Sequence, residues 1–376
     1  MASMQQQSNS RARVLFWDLE GAKHLDYQDK LRSLLKQSRI GSCLQGGELT
    51  AIKLHFGERG NPAFLSPQRL APVVRFLRKC GARPFMTDTC TLYGGPRSEG
   101  VSHGLLAAEH GFDQNILQAP VVIADGIRGT HQVEVSYRGL RTEVCYLAGE
   151  IAAADSMLTC SHFTGHRLSG FAGALKNLAM GCASRQGKMR QHSSTAPRVH
   201  ADKCRGCGSC VSLCPTGALS LTEQGQAQIN PEPCHGCALC LSVCPAEALA
   251  VHWDRSGAVF AETMADYAGA ALSLFSAPVL HMSFLLSVTP ECDCESGSAR
   301  PLCPDLGIAA SYDPVALDQA CLDLVNTAPS TPKQGPATPE GGDVFLQRHP
   351  GTPGDLLLQA GQRLGIGSRS YRLIRV

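Results

Sequence analysis

The sequence predicts an α/β protein: a mostly parallel sheet flanked by helices, carrying an inserted α+β two-cluster ferredoxin-like domain. Three observations predict it. Short apolar runs rich in branched residues alternate with amphipathic stretches, the pattern of strands joined by covering helices. One segment holds eight cysteines in two copies of a single spacing. Strand and helix signals resume after that segment, which makes it an insert rather than an appendage.

The elements follow in order. Candidate strands cover Arg13–Asp18, Leu49–His55, Pro84–Asp88, Val121–Ala124, Ser156–His162, Val279–Val288 and Gly307–Ser311. Candidate helices cover Asp26–Gln37, Pro67–Cys80, Val101–Glu109, Gly170–Met180, Ala261–Leu274 and Pro314–Val325. Gln132–Tyr137 and Arg141–Tyr146 flank Arg138-Gly139-Leu140 and read as a hairpin added to the sheet. The α/β domain therefore spans 11–198 and 254–326, with the insert at 199–253. Residues 327–354 are rich in Pro, Thr and Gly and read as a linker away from any site, before a closing helix and strand in 355–376.

The insert carries the firmest chemistry. Cys204, Cys207, Cys210 and Cys214 precede Pro215, and Cys234, Cys237, Cys240 and Cys244 precede Pro245. Both runs read C-x-x-C-x-x-C-x-x-x-C-P, the bacterial ferredoxin spacing for [4Fe–4S] clusters, in which the fourth cysteine reaches the other cluster. One set is thus Cys204, Cys207, Cys210 and Cys244; the other is Cys234, Cys237, Cys240 and Cys214. A lone C-x-x-C suits structural zinc equally well. Two full runs, with both prolines and with Gly206 and Gly236 in matching places, argue against it. Ala218–Leu221 and Ala248–His252 sit alike in the two repeats, as short strands of a pseudosymmetric module.

Composition bounds the setting. With 376 residues, 43% hydrophobic and 18% charged, the chain has enough apolar mass for a large core. A net charge of +2 gives no footprint for nucleic acid. The first ten residues lack the apolar core of a secretory signal and read as a disordered tail. No apolar run reaches the roughly 18 residues of a membrane span. Cluster cysteines must stay thiolate. Together these point to a cytoplasmic, reducing setting, with neither membrane nor nucleic-acid partner.

Polar side chains concentrate at expected strand ends. They are His55 with Glu58, Asp88 with Thr89, Ser161 with His162 and His166, and Ser311 with Asp313. Ligands of open α/β sheets bind outside the carboxyl ends of strands, although Asp and Ser also favour caps and loops. His55, Asp88, His162 and His166 are the catalytic candidates, since histidine serves proton transfer or metal binding near neutral pH. Glycines and cations crowd the stretch from Gly170 to His192. There Lys176, Asn177, Arg185 and Lys188 are candidates for binding an anionic substrate, in competition with a tightly packed helix whose cations are solvated. Neither dinucleotide nor Walker spacing fits.

Cys292-Asp293-Cys294 places two thiols around an acid after an expected strand. With Cys182 as third ligand the pair would form a candidate third metal centre; the competing reading is an incidental surface C-x-C. Cys43, Cys80, Cys90, Cys145, Cys160, Cys303 and Cys321 stand alone and read as small hydrophobes.

Several stretches carry a resemblance: Lys53-Leu54-His55-Phe56-Gly57-Glu58, Thr87-Asp88-Thr89, Ser161-His162-Phe163-x-Gly165-His166, Gly173-Ala174-Leu175-Lys176-Asn177-Leu178, Gly181-Cys182-Ala183-Ser184, Cys292-Asp293-Cys294 and Asp313-Pro314-Val315-Ala316-Leu317-Asp318. From about Arg13 to Val325 the chain resembles iron–sulfur proteins of the domain-of-unknown-function 362 family that embed a bacterial-type 2[4Fe–4S] ferredoxin module. The resemblance implies clusters and an α/β domain, and no reaction. Three readings follow. The first is an iron–sulfur oxidoreductase passing electrons, received from a redox partner protein, to a substrate or metal centre in a strand-end pocket. The second is an electron carrier whose α/β domain docks a partner enzyme. The third is a non-redox ligand or metal-binding protein with structural clusters.

Overall fold

The computed structural model describes residues 11–19, 27–297, 299–329 and 342–376. The expected N-terminal tail, the first residue of the helix expected from Asp26, and residues 330–341 of the expected linker lie outside them.

An eight-stranded sheet organises the chain. Its order is Tyr371–Arg375, Ala12–Asp18, Gly307–Ser311, Leu280–Leu285, Ser156–His162, Leu49–Lys53, Arg83–Asp88 and Val121–Ile123. Neighbours run parallel except at Gly307–Ser311, which is antiparallel to both its neighbours. Seven strands therefore end at one edge and Gly307–Ser311 ends at the other.

Both faces are covered, and the alternation along a strand shows why. Val14 and Phe16 enter the core beneath helices Ala174–Cys182, Gly257–Ser273 and Pro314–Thr327. Leu15 and Trp17 enter the core beneath helices Tyr27–Ser38 and Pro67–Lys79. Successive side chains of a strand point to opposite faces, so continuous apolar runs suit a sheet buried on both sides.

The structure corrects four expectations. The antiparallel Gly307–Ser311 carries Ser311 and Asp313 to the far edge, where Ser311 Oγ donates to Arg13 O (2.8 Å) and Asp313 caps Ala316 N (2.8 Å). The hairpin, Gln132–Ser136 with Val144–Ala148, forms its own two-stranded sheet. Its turn is held off the main sheet because Asp266 of helix Gly257–Ser273 accepts the backbone N–H groups of Leu140, Arg141 and Thr142. Gly170–Ala172 is a strand paired with Thr164–His166, and the helix begins only at Ala174. The cause is Asp318, whose carboxylate accepts the N–H groups of Ala174 (2.7 Å) and Leu175 (2.9 Å) and so fixes that helix start. Fourth, the described end of the expected linker holds a helix, Val344–Arg348, with Phe345 fully buried.

The cysteine-rich segment builds a separate small core. Arg198–Val199 pairs with Leu249–Ala250, and Leu219–Leu221 pairs with Ala227–Ile229, both antiparallel. Short helices Ser209–Ser212 and Leu239–Ser242 occupy equivalent places in the two repeats. Leu219, Ala227 and Leu249 pack there with cluster-spaced cysteines of both runs.

Candidate functional site

The parallel strands bring their carboxyl ends to one cavity of about 620 Å³, within the range of small-molecule sites. Strand ends supply His55, Asp88 and His162. The short hairpin after Ser156–His162 supplies His166, helix Ala174–Cys182 supplies Lys176 and Asn177, and helix Arg185–His192 supplies Lys188. The loop after strand Leu280–Leu285 brings Cys292, Asp293 and Cys294 onto the same wall.

Most of these polar groups are already engaged. Lys53 Nζ donates to Asp88 Oδ1 (2.9 Å), Asn177 Oδ1 (2.8 Å) and Leu54 O (2.8 Å). Burial pushes the Asp88 carboxyl up, but the Lys53 ammonium wins and holds it well below the usual carboxylate range. Asn177 Nδ2 donates to Ser161 Oγ at 3.1 Å, so Asn177 ties its helix to two strand ends at the cavity wall. His55 Nδ1 accepts from Gly57 N at 2.9 Å and its Nε2 lies 2.7 Å from Arg97 Nη1. Burial and Arg97 keep that ring far below the ordinary histidine value. His162 lies 2.8 Å from Asp293 Oδ1 through Nδ1 and 2.6 Å from Leu286 O through Nε2. Both partners are acceptors, an arrangement that favours the doubly protonated ring. Burial disfavours that charge, and the Asp293 carboxylate more than offsets it.

Of the four catalytic candidates, then, His55, Asp88 and His162 brace the site. His166 differs. Its Nδ1 accepts from Ser169 N (3.1 Å) and Leu168 N (3.2 Å) and lies 3.0 Å from Ser169 Oγ, so the neutral ring carries its proton on the other nitrogen, Nε2. One ring nitrogen of His166 and the sulfurs of Cys292 and Cys294 all lie within 4.8 Å of one another. Cys182 does not join them. It ends its helix, with Sγ directed to Asn177 O at 3.7 Å, and does not line the cavity. Lys176 Nζ donates to Cys292 Sγ at 3.3 Å. A hydrogen bond from Cys294, helped by Lys176, holds the Cys292 thiol below its ordinary value, and the same bond holds Cys294 above it.

Arg185 is a second correction. Its guanidinium is fully buried and donates to the carbonyls of Thr91 (2.7 Å), Arg128 (3.2 Å) and Ser98. It pins loops and does not line the cavity. Lys176 and Lys188 do line it. The apolar wall includes Leu92, Leu168, Met180, Trp253 and Phe260.

Neither Arg97 nor Tyr93 was among the candidate site residues. Arg97 pairs with Glu58 (Nε–Oε2, 3.0 Å), contacts His55 and donates to the Tyr93 hydroxyl. That hydroxyl donates to Cys294 O at 3.2 Å. Both residues lie in an irregular stretch that periodicity cannot align. Residues behind the site were also missed: His349 Nε2 donates to Pro290 O at 2.7 Å, and Phe345 packs on Phe163. The stretch expected to keep clear of the site therefore buttresses it.

In the insert, Cys204, Cys207, Cys210 and Cys244 line one small cavity, and Cys214, Cys234, Cys237 and Cys240 line another. The grouping crosses the two runs as cluster sharing requires.

Residues 50–323 match the family described as Domain of unknown function (DUF362). The chain belongs to the DUF362 family. A stretch of 33 residues in this DUF362 protein is 48% identical to a probable ferredoxin of Methanosarcina thermophila, covering 9% of the chain and 57% of the ferredoxin. Two solved structures are similar. The lactate racemase apoprotein of Thermoanaerobacterium thermosaccharolyticum is 10% identical with a TM-score of 0.36, over 76% of this chain and 53% of that one. A structural-genomics target from Thermotoga maritima is 11% identical with a TM-score of 0.43, over 80% of this chain and 58% of that one. The DUF362 chain thus spans little more than half the length of each. Among the described residues no helix is long and apolar enough to cross a membrane.

Proposed function

We propose that this chain is an iron–sulfur oxidoreductase whose two-cluster insert serves a small-molecule pocket at the carboxyl edge of the α/β sheet. The observation that carries the reading is a shared wall. Leu92 lines the pocket and packs in one small core with Met189 and with Ala238 of the insert, the neighbour of Cys237. Trp253, where the chain leaves the insert, stands on the pocket's rim and packs edge-on against His192.

Cys204, Cys207, Cys210 and Cys244 would hold one [4Fe–4S] cluster, and Cys214, Cys234, Cys237 and Cys240 the other. The two crossed cysteine cavities and the ferredoxin-like stretch support this fit. Bound clusters supply one-electron transfer. The residues around the pocket do the rest. Leu92, Met180 and Phe260 give it an apolar wall, while Lys176 and Lys188 offer positive charge. That combination suits an anion with a largely apolar body, such as an aromatic carboxylate. Electrons would come from a separate redox protein in the cytoplasm.

Anaerobic purification with iron and sulfide quantitation, followed by EPR of the reduced protein, tests the cofactor. About eight irons per chain are expected from two such clusters. Zinc without iron would overturn it. Clusters that are reduced and reoxidised with no effect from any carboxylate held in the pocket would remove the enzyme reading and leave the carrier.

A further inference from the structure

We propose that His166, Cys292 and Cys294 bind one soft divalent metal ion, with a coordination position open to the cavity. The proposal goes beyond the redox reading and stands whether or not the eight insert cysteines carry clusters.

The donor atoms are close enough. All three lie within 4.8 Å of one another, and a tetrahedral ion with bonds to sulfur near 2.3 Å sets its sulfurs about 3.8 Å apart. Two thiolates and one imidazole form a soft set suited to zinc, ferrous iron or nickel. Three protein ligands and an open fourth position mark a zinc site that acts on a ligand, whereas a purely structural site is closed by four.

The neighbouring acids leave that fourth position free. The Asp293 carboxylate, between the two cysteines, is turned to His162 at 2.8 Å. Glu295 pairs with Arg167 at 2.5 Å. The remaining direction is the cavity, which all three ligands line.

The ligands are also held before any ion arrives. Glu295 N donates to Cys292 O at 3.0 Å, a tight turn across the C-x-C. Glu58 N donates to Asp293 O at 2.9 Å, and the Tyr93 hydroxyl holds Cys294 O. On the opposite side Ser169 Oγ donates to Phe171 O at 2.7 Å and lies 3.0 Å from His166 Nδ1; an ion on Nε2 would move the ring proton to Nδ1, where that hydroxyl oxygen can accept it. Outer partners of this kind orient metal ligands. Gly165 lets the two sides approach, because a Cβ there would stand 2.0 Å from Pro290 O.

Charge then selects the ligand of the open position. Two thiolates balance a divalent ion, and the Lys176 ammonium beside Cys292 leaves the site with one positive charge. An anionic oxygen or sulfur group bound to the metal and to Lys176 would neutralise it.

The test uses full-length protein with its clusters reconstituted anaerobically, and zinc alone as the probe. Zinc is spectroscopically separate from cluster iron. One equivalent should bind, and absorption at the zinc edge should show two sulfurs at about 2.3 Å and one nitrogen at about 2.0–2.1 Å. His166→Ala and the Cys292→Ser/Cys294→Ser double variant should lose that equivalent with cluster EPR unchanged. Cys182→Ser should keep it. His166→Cys should also keep it, with a third sulfur in place of nitrogen, which separates ligand loss from misfolding. Ser169→Ala should weaken zinc by about 10- to 100-fold. Equal zinc uptake by wild type and the double variant would overturn the proposal. So would a metal-free Cys292–Cys294 disulfide in anaerobically purified protein. Neither result touches the cluster reading, which fails only if cluster iron is missing.

Discussion

Lys53 Nζ lies 2.9 Å from Asp88 Oδ1, and both residues are almost wholly buried at the cavity floor. The pair joins adjacent strand ends, and the same ammonium reaches Asn177 on the covering helix. It therefore sets the distance between sheet and helix just where Lys176 enters the cavity. Removing one partner of a buried pair leaves a bare charge and costs about 3–5 kcal/mol. Lys53→Met should destabilise the protein by about that amount in denaturant unfolding, and Lys53→Met/Asp88→Leu should recover much of it. A single variant as stable as wild type would show that the pair does not hold these elements.

The same pair fixes a pH dependence. The folded carboxyl of Asp88 is held below its unfolded value. Its contribution is therefore present above the unfolded value of about 3.9 and is lost as pH falls through the folded one. Asp88→Asn should lower stability at neutral pH and flatten that acid limb. Denaturation midpoints followed from neutral pH downward test this; an unchanged limb would assign acid lability to other groups.

The crossed cysteine cavities give a prediction that a simple count of cysteines does not. Cys244 follows the second run but lines the cavity of Cys204, Cys207 and Cys210. Cys244→Ser should alter the EPR of the cluster held by the first run, and Cys214→Ser that of the second. The second cavity includes Cys237, next to the shared wall with the α/β domain. Spectra that change within each variant's own run would show uncrossed ligation.

How far the sequence showed this site depends on the element. Parallel strand ends were legible because apolar runs closed by His55, Asp88 and His162 are local signals. The direction of Gly307–Ser311 was not legible. Its five residues read alike in either direction, and only pairing with Leu280–Leu285 and Ala12–Asp18 shows that Ser311 faces away. The C-x-C pair stood out by spacing, but its third neighbour did not. Cys182 was the chemically obvious choice, while the fold turns its sulfur to Asn177 and brings His166 round on a hairpin too short to register as strands. Arg185 misled for a related reason: a cation in a glycine-rich stretch can serve backbone carbonyls as readily as a ligand.

Lys188 should make anion binding sensitive to alkaline pH. Burial pushes its ammonium down to about 8, against the opposing pull of Asp125 and Asp88. The charged form attracts an anion, so affinity should fall as pH rises through about 8. Lys176, held up by Cys292 and Cys294 against burial, stays charged across that range. Calorimetric titration with phenylacetate from about pH 6.5 to about 9.5 should show this limb. Lys188→Met should bind more weakly at neutral pH and lack the limb; a limb that persists in the variant would assign it elsewhere.

Gly181 should be intolerant of even one added carbon. It ends the turn where helix Ala174–Cys182 meets the strand ends, and its carbonyl accepts from Thr89 Oγ1 at 3.0 Å. A Cβ placed there would stand 2.6 Å from Lys53 Nζ and 2.8 Å from Asn177 Oδ1. Neither atom can yield freely. Lys53 Nζ is fixed by three acceptors, and Asn177 Oδ1 is one of them. Gly181→Ala must push the helix outward or break that bond, at a cost of about 1–3 kcal/mol for overpacking. Either movement displaces Lys176 five residues earlier on the same helix. Gly181→Ala should therefore lose phenylacetate affinity as well as stability, with the cluster EPR unchanged. Ala179→Gly, in the same helix, makes the control. It loosens the helix by about 1 kcal/mol without crowding Lys53, so its affinity should fall less. If the two variants lose affinity equally, helix stability alone governs the pocket and the Lys53 contact has no part in placing Lys176.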